Sequence, residues 1–277
     1  MDCRNDIRLW RDANVMGGLE MLRASIANYS YPAHSHDFYV IAAFKRGAQR
    51  HTIARHQGVA RPGSVMIIAP GEVHTGEAAE RGLVWEYSAF YPQAAVLENI
   101  AQELLGPCAG PLCFGSNVLF EDRELNALLL NAHFTAEASG DPLERECAVY
   151  AAFEALVQRY GQRAKGRHAP ANLRADISRA LDFMQSGYSD ALSVAEIAAT
   201  AGLSKYHFMR VFRATMGLTV HRYLTQLRLM RAKNLLQRGE SAVNVALLSG
   251  FFDQSHFSKL FRLNFGVTPR QFADACC

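Results

Sequence analysis

At 277 residues the chain is longer than one average domain, and its hydrophobic fraction of 49% supplies apolar side chains for two cores. The net charge of +3 is uneven: residues 171–277 hold 13 Lys and Arg against 7 Asp and Glu (+6), whereas residues 1–170 hold 16 against 19 (−3). No apolar run approaches the roughly 20 residues that cross a bilayer, no apolar signal region opens the chain, and the six cysteines form no C-x-x-C pair. We therefore expect a reduced, cytoplasmic protein of two domains, the second with a polyanionic partner, and no membrane partner.

The first part of the chain is β-rich. Residues 1–30 alternate weakly, which indicates a strand or a lead-in arm, and clearer strand patterns occupy residues 36–45, 49–55, 64–69 and 83–91. We expect 49–55 to pair with 36–45, and we expect turns at Gly58, Arg61-Pro62-Gly63 and Pro70-Gly71-Glu72. Short strands about ten residues apart predict an antiparallel sandwich or barrel.

Helical periodicity begins after Pro92. Apolar residues three and four positions apart form three faces: Leu97, Ile100 and Leu104; Leu125, Leu128, Leu129 and Ala132; Val149, Phe153, Leu156, Val157 and Tyr160. Asp141 before Pro142 predicts the start of the third helix. These faces either cover the barrel or pair with a second subunit, and we expect a homodimer formed through 121–160.

A polar, glycine-punctuated stretch separates the two parts. We predict an effector-binding and dimerisation domain at 1–160, a linker at 161–172 and an all-helical domain at 173–277. The fold class is therefore α+β. Helices are expected at 174–187, 193–199, 204–216, 219–237, 241–249, 253–265 and 268–274. Ser193 with Glu196 forms a capping box, and Ser204 is expected to cap the next helix.

The helical domain contains one unit twice, 49 positions apart. Residues 204–223 align with 253–272 through these pairs: His207/His256, Phe208/Phe257, Arg210/Lys259, Phe212/Phe261, Arg213/Arg262, Gly217/Gly266, Thr219/Thr268 and Tyr223/Phe272. In each copy a short apolar helix, a tight turn and a longer helix follow one another. That order is typical of a helix-turn-helix.

The longer helix of each copy has a polar or basic face opposite its phenylalanines. We expect the exposed side chains to be Lys205, Tyr206, Met209, Arg210 and Arg213 in the first copy, and Gln254, Ser255, His256, Ser258, Lys259 and Arg262 in the second. Such side chains can contact base edges and phosphates. The helix between the copies spans roughly 28 Å at 1.5 Å per residue, about one duplex turn, which predicts an asymmetric DNA site.

The stretch A-L-L-S-G-F-F-D-Q-S-H-F-S-K-L-F-R-L-N-F-G-V-T-P-R-Q-F, residues 246–272, resembles the signature of the AraC/XylS transcription regulators. The resemblance implies that two helices enter successive major grooves of double-stranded DNA, and that an activating member also meets RNA polymerase. It implies base contacts from Tyr206, Met209, Arg210, Gln254, Ser255, His256 and Lys259. Arg213 and Arg262 are expected to meet phosphates.

The N-terminal region resembles the cupin-like sensor domain of the same family through H-x-H at His34 and His36, then Arg46-Gly47, then P-G-S-V-M-I-I-A-P-G-E-V-H ending at His74. The three histidines could bind a divalent metal, serve as polar groups in an effector pocket, or be structural. The glutamate of the metal-binding cupin pattern is replaced by Val40 or Ile41, which weighs against a metal, and we expect no cofactor. The resemblance implies that the barrel binds a small-molecule effector, with candidate lining residues Arg46, Trp85 and Tyr87, and less directly Tyr39 and Phe90.

Two other functions stay open at this point. One is a metal-dependent cupin enzyme with a helical appendage, and the other is a regulator whose barrel only dimerises. We expect a regulator rather than an enzyme, because the carboxylate of the metal-binding cupin pattern is missing.

Overall fold

The structure is a computed structural model that describes residues 5–27, 29–54, 56–80, 82–106, 110–164 and 175–276. The chain divides into two compact units, residues 1–168 and 169–277. The expected linker lies mostly outside the described residues. Gln162–Arg163 were predicted to belong to the linker, but they form a short strand that pairs within the first unit. The first unit therefore extends beyond its predicted end at residue 160.

The described part of the first unit contains twelve short strands. They are β1 Asp6–Asp12, β2 Leu19–Ile26, β3 Tyr31–His34, β4 Val40–Arg46, β5 Gln49–Ile53, β6 His56–Ala60, β7 Ser64–Ile68, β8 His74–Ala78, β9 Trp85–Tyr91, β10 Leu112–Cys113, β11 Leu119–Glu121 and β12 Gln162–Arg163. A six-stranded antiparallel sheet has the order β1-β2-β9-β4-β7-β11, a four-stranded one has the order β3-β8-β5-β6, and β10 pairs with β12. This confirms the antiparallel architecture. Strands β1 and β2 pair along their full length, although the alternation of residues 1–30 is weak.

The predicted pairing of 36–45 with 49–55 is wrong. Strand β4 pairs with β7 and β9 in the larger sheet, whereas β5 pairs with β6 and β8 in the smaller sheet. The chain crosses between the sheets at Gly47, which has φ +67° and lies so close to the Val84 carbonyl that a Cβ would clash.

The expected turn at Gly58 is also wrong. Gly58 lies inside β6 opposite His51, and a Cβ on it would come within 3.0 Å of the His51 imidazole. This tight packing against His51, rather than a turn, favours glycine at this position.

Alternation along β9 gives the larger sheet two different faces. Trp85 and Tyr87 point toward the smaller sheet, where the Tyr87 hydroxyl donates to that of Tyr31 at 3.0 Å. Phe90 points the other way and packs against Phe153, with ring centroids 5.4 Å apart.

The described part of the first unit also contains three helices: α1 Ala94–Leu105, α2 Arg123–Ala138 and α3 Pro142–Tyr160. Helix α2 contacts β4, β7 and β9 on that outer face, Phe153 of α3 packs on Phe90, and α1 packs against α3 and β10. The Asp141 carboxylate caps α3 as expected, accepting from the Leu143 amide at 2.9 Å. Within α2, buried Asn126 donates through Nδ2 to the carbonyls of Phe44 and Ser64 at 3.2 and 2.7 Å. One amide thus joins the helix to two strands.

The second unit contains helices α4 Ala175–Ser186, α5 Val194–Thr200, α6 Lys205–Met216, α7 Val220–Gln237, α8 Ala242–Leu248, α9 Gln254–Phe265 and α10 Pro269–Asp274. All seven match the predicted helices within two residues. The Ser193 and Glu196 capping box is confirmed, and Gly217 and Gly266 end α6 and α9 in the left-handed region. Ser204 precedes α6, but its side chain makes no cap hydrogen bond.

Helix α7 connects the two copies. Its residues Val220 and Leu224 pack into the cluster formed by α4, α5 and α6, and the rest of α7 contacts α8 and α10. In the part of the chain that the structure describes, no helix is long and apolar enough to span a membrane.

Candidate functional site

Helix α6 presents a mixed polar and basic face because Phe208 and Phe212, one turn apart, anchor its opposite side and are fully buried. Tyr206, Arg210 and Arg213 are exposed. Met209, expected on the outside, is half-buried and packs against the domain core. The first copy therefore offers hydrogen-bonding groups on either side of an apolar centre.

A groove of about 780 Å³ runs along this face. Tyr206, Met209, Arg210 and Arg213 form one wall, and His221 lines it from the first turn of α7. Sequence reasoning missed His221. Its position in the first turn of α7, two residues after the helix-capping Thr219, was the available indication.

Helix α9 is anchored in the same way by buried Phe257 and Phe261. The five predicted contact residues on it are exposed: Gln254, Ser255, His256, Lys259 and Arg262. The Asp253 carboxylate accepts from the His256 amide at 2.7 Å and fixes the first turn.

The two copies differ in their turns. Four residues separate α5 from α6, at 201–204, whereas five separate α8 from α9, at 249–253. The longer turn contains Phe252, which is 92% exposed. The longer helices α6 and α9 therefore keep the 49-residue spacing of the repeat, whereas the shorter helices α5 and α8 are 48 residues apart.

In the first unit the fold brings together the three histidines that the sequence separates. His34 on β3 pairs with His74 on β8, and His36 follows two residues later. Ring centroids are 4.2 Å apart for His34 and His74, 4.9 Å for His36 and His74, and 5.9 Å for His34 and His36. Burial, and then the neighbouring His34, lower the pKa of His74 to about 3, so its imidazole is neutral at pH 7.

Each of these imidazoles is oriented by a backbone carbonyl two residues away. The Nδ1 atoms of His34, His36 and His74 lie 2.7, 2.9 and 2.9 Å from the oxygens of Pro32, Phe38 and Glu72. Because a carbonyl only accepts, Nδ1 carries the proton in each ring.

Trp85 and Tyr87 lie between the two sheets. Their rings stack with centroids 5.0 Å apart and 7° between planes, and burial raises the pKa of Tyr87 well above its usual value. Among the described residues no hydrogen-bond partner reaches the buried Trp85 Nε1. Tyr31, which sequence reasoning missed because β3 was not predicted, completes this group.

Arg46 and Phe90 are not part of the aromatic group formed by Tyr31, Trp85 and Tyr87. A register shift between Phe44 and Arg46 turns the arginine outward, where its side chain is 71% exposed and pairs with Glu86 at 3.6 Å. Phe90 belongs to the interface with the helices.

A separate cavity of about 350 Å³ lies in the same unit. Tyr39, Ile67, Glu72, Cys113 and Phe114 are among its lining residues. The Tyr39 hydroxyl donates to the Leu112 carbonyl at 3.3 Å, and burial, followed by nearby Cys113, raises the pKa of Tyr39 to about 12. Of the effector candidates named from the sequence, this cavity includes Tyr39 alone.

Comparison with known proteins agrees with these two units. Residues 17–153 match the model of the AraC-like ligand binding domain, and residues 197–275 match that of a helix-turn-helix domain. The HTH-type transcriptional regulator YbfI of Bacillus subtilis is 27% identical over 226 residues, covering 82% of this chain and 81% of YbfI. The HTH-type transcriptional activator RhaS of Yersinia pestis is 28% identical over 255 residues, covering 90% of this chain and 91% of RhaS.

Among solved structures, ToxT of Vibrio cholerae has a similar fold, with a TM-score of 0.56, 11% identity and coverage of 99% of this chain and 98% of ToxT. The two matched regions account for both units of the chain. This chain therefore belongs to the AraC family of DNA-binding transcription regulators, with an N-terminal ligand-binding domain and a C-terminal helix-turn-helix domain.

Proposed function

We propose that α6 and α9 read two successive stretches of a promoter duplex. The base-contacting residues would be Tyr206, Met209 and Arg210 on α6, and Gln254, Ser255, His256 and Lys259 on α9, with Arg213 and Arg262 on phosphates. The observation that carries this proposal is the pair of matched helices, each anchored by two buried phenylalanines and each with an exposed basic face. Helix α7, 18 residues and about 27 Å long, separates the copies by close to one duplex turn.

The two helices would read DNA differently. Helix α9 offers Gln254, His256 and Lys259 for hydrogen bonds to base edges. On α6 the half-buried Met209 lies between Tyr206 and Arg210, and a thioether suits a thymine methyl or local duplex shape better than a polar edge. We therefore expect stringent recognition in the α9 half of the site and looser recognition in the α6 half.

Footprinting of the full chain on the intergenic DNA beside its gene tests this proposal. Lys259→Ala should weaken specific binding by about 1–3 kcal/mol if Lys259 contacts a base. Arg270→Ala is the matched control, because Arg270 is an exposed cation on α10, outside the proposed face. No protection at moderate salt, or equal losses in both variants, would refute the assignment.

The N-terminal unit would bind a small-molecule effector between the sheets. The buried stack of Trp85 and Tyr87 offers apolar faces, and the Trp85 Nε1 offers a hydrogen-bond donor for a polar group of the ligand. Effector binding would favour one arrangement of the two units by binding it more tightly than the other.

A thermal-shift screen tests the effector proposal, since a ligand at one hundred times its dissociation constant adds about 2.7 kcal/mol. One ToxT structure holds an unsaturated fatty acid, so fatty acids join sugars, amino acids and aromatic acids in the panel. Trp85→Phe keeps the ring packing but removes the N–H, and should weaken any hit that uses it. A panel without hits would favour the alternative, a barrel that serves only dimerisation.

A homodimer would form through residues 121–160. Support comes from Phe134 on α2 and Leu143 on α3, which are both 67% exposed although large and apolar. Sedimentation should show a dimer that Phe134→Glu weakens, whereas Leu83→Glu, at an exposed site outside this segment, should not.

The remaining assignments concern the cellular role. We propose a cytoplasmic regulator without catalytic activity, as its relatives are transcriptional regulators. If it activates as RhaS does, RNA polymerase is a further partner, and transcription from the footprinted promoter with purified polymerase would rise when the protein is added.

A further inference from the structure

His34, His36 and His74 form a compact group in the first unit. Each imidazole offers one ring nitrogen, and these three nitrogens all lie within 4.8 Å of one another. Three ligands on a tetrahedral zinc ion, at 2.0–2.1 Å from the metal, are about 3.3 Å apart, so small side-chain rotations would close the group around an ion.

The orientation of the rings also fits metal binding. In each ring the Nδ1–H donates to a backbone carbonyl, and the lone pair is therefore on Nε2. Metal-binding histidines in proteins commonly have this arrangement, in which the outer hydrogen bond fixes the tautomer and increases the basicity of the ligating nitrogen.

The surroundings are apolar and partly shielded from water. His36 and His74 are buried, and the Phe38 ring stacks on His36 with centroids 4.2 Å apart and 6° between planes. Two strand ends and the following loop hold the three side chains, so the group depends on the sheet pairing rather than on one flexible segment.

The missing carboxylate does not exclude a metal. Val40 and Ile41 are apolar residues of β4, and among the described residues no Asp or Glu joins the group. The Glu72 carboxylate accepts from the Ala69 amide at 3.1 Å within its own turn. Three histidines nevertheless suffice for zinc, which then keeps one position for water.

We propose that His34, His36 and His74 bind one divalent late first-row transition metal ion, Zn²⁺ in the first instance, through their Nε2 atoms. Imidazole is a ligand that suits Zn²⁺, Ni²⁺ and Cu²⁺, whereas Mg²⁺ and Ca²⁺ prefer oxygen. The bound ion ties β3, β8 and the loop after β3 together and stabilises the ligand-binding domain.

The test uses untagged full-length protein, first stripped with a chelator and dialysed. Titration with Zn²⁺, and with Co²⁺ as a coloured probe, should show one ion per chain and cobalt bands typical of four or five ligands. Each of His34→Gln, His36→Gln and His74→Gln should weaken binding by more than about 100-fold, beyond the 10- to 100-fold effect of losing an outer hydrogen bond. His56→Gln is the matched control, an exposed histidine of the same unit.

A measurement on the unaltered protein keeps the proposal falsifiable if a variant fails to fold. Zinc X-ray absorption of the stoichiometric complex should show imidazole nitrogens at about 2.0–2.1 Å. Absence of tight Zn²⁺ or Co²⁺ binding, sulfur in the zinc shell, or unchanged affinity in the three folded variants would overturn the proposal and leave the histidines as structural or effector-binding groups.

Discussion

Acid should destabilise the N-terminal unit through His133. This imidazole on α2 is buried between Trp10 and Phe90, with ring centroids at 5.0 and 5.2 Å, and its Nε2 donates to the Leu22 carbonyl at 3.1 Å. Burial, with a smaller contribution from the positive charge of Arg23, lowers the pKa of His133 to about 4.

The size of the effect follows from proton linkage. An unfolded histidine has a pKa of about 6.5, so between pH 6.5 and 4 the unfolded chain binds a proton that the folded chain does not. His133 therefore contributes stability fully above pH 6.5, and this is lost as pH falls toward 4. A difference of about 2.5 pH units at 1.36 kcal/mol each gives a loss of about 3 kcal/mol.

Denaturant unfolding followed by tryptophan fluorescence measures this loss, because both tryptophans, Trp10 and Trp85, lie in the N-terminal unit. His133→Gln keeps an N–H for the Leu22 carbonyl and does not titrate. The variant is less stable than the parent at pH 7. This difference in the free energy of unfolding should be about 3 kcal/mol smaller at pH 4. A difference that stays constant from pH 7 to 4, or an equal change in the exposed His56→Gln, would show that His133 does not cause the loss of stability.

Two further outcomes are expected. Arg213→Gln should reduce the slope of log affinity against log salt by about 0.9 if Arg213 neutralises one phosphate, and should weaken all sequences alike, whereas Arg270→Gln should leave the slope unchanged. Asn126→Leu should destabilise the N-terminal unit by about 2–4 kcal/mol, because the carbonyls of Phe44 and Ser64 each lose a buried donor, and a thermal midpoint equal to that of the parent would contradict the bridging role.

The helices of the second unit could be predicted from interactions between residues close together in the sequence. The capping box at Ser193 and the glycines at 217 and 266 act within one helical turn, and burial of Phe208, Phe212, Phe257 and Phe261 follows from their spacing. Pattern reasoning therefore placed all seven helices and the two exposed faces. It misjudged Met209, because a position at the edge of the apolar stripe becomes half-buried or exposed according to the packing of neighbouring helices.

In the first unit, local sequence patterns located strands but did not predict how the strands pair. Strand patterns located β4, β5, β7 and β9, but strand partners are chosen by contacts between distant residues, and the chain changes sheets at Gly47. A single register shift also turned Arg46 to the solvent.

A two-part chain with paired helix-turn-helix units could be predicted from the sequence, because helices and their caps depend on residues three or four positions apart. Which side chains meet in the ligand-binding domain depends instead on how distant strands pair. His34 and His36 are neighbours in the sequence, but His74 reaches them through the pairing of β3 with β8, and a one-residue slip of that pairing would point it to the other face.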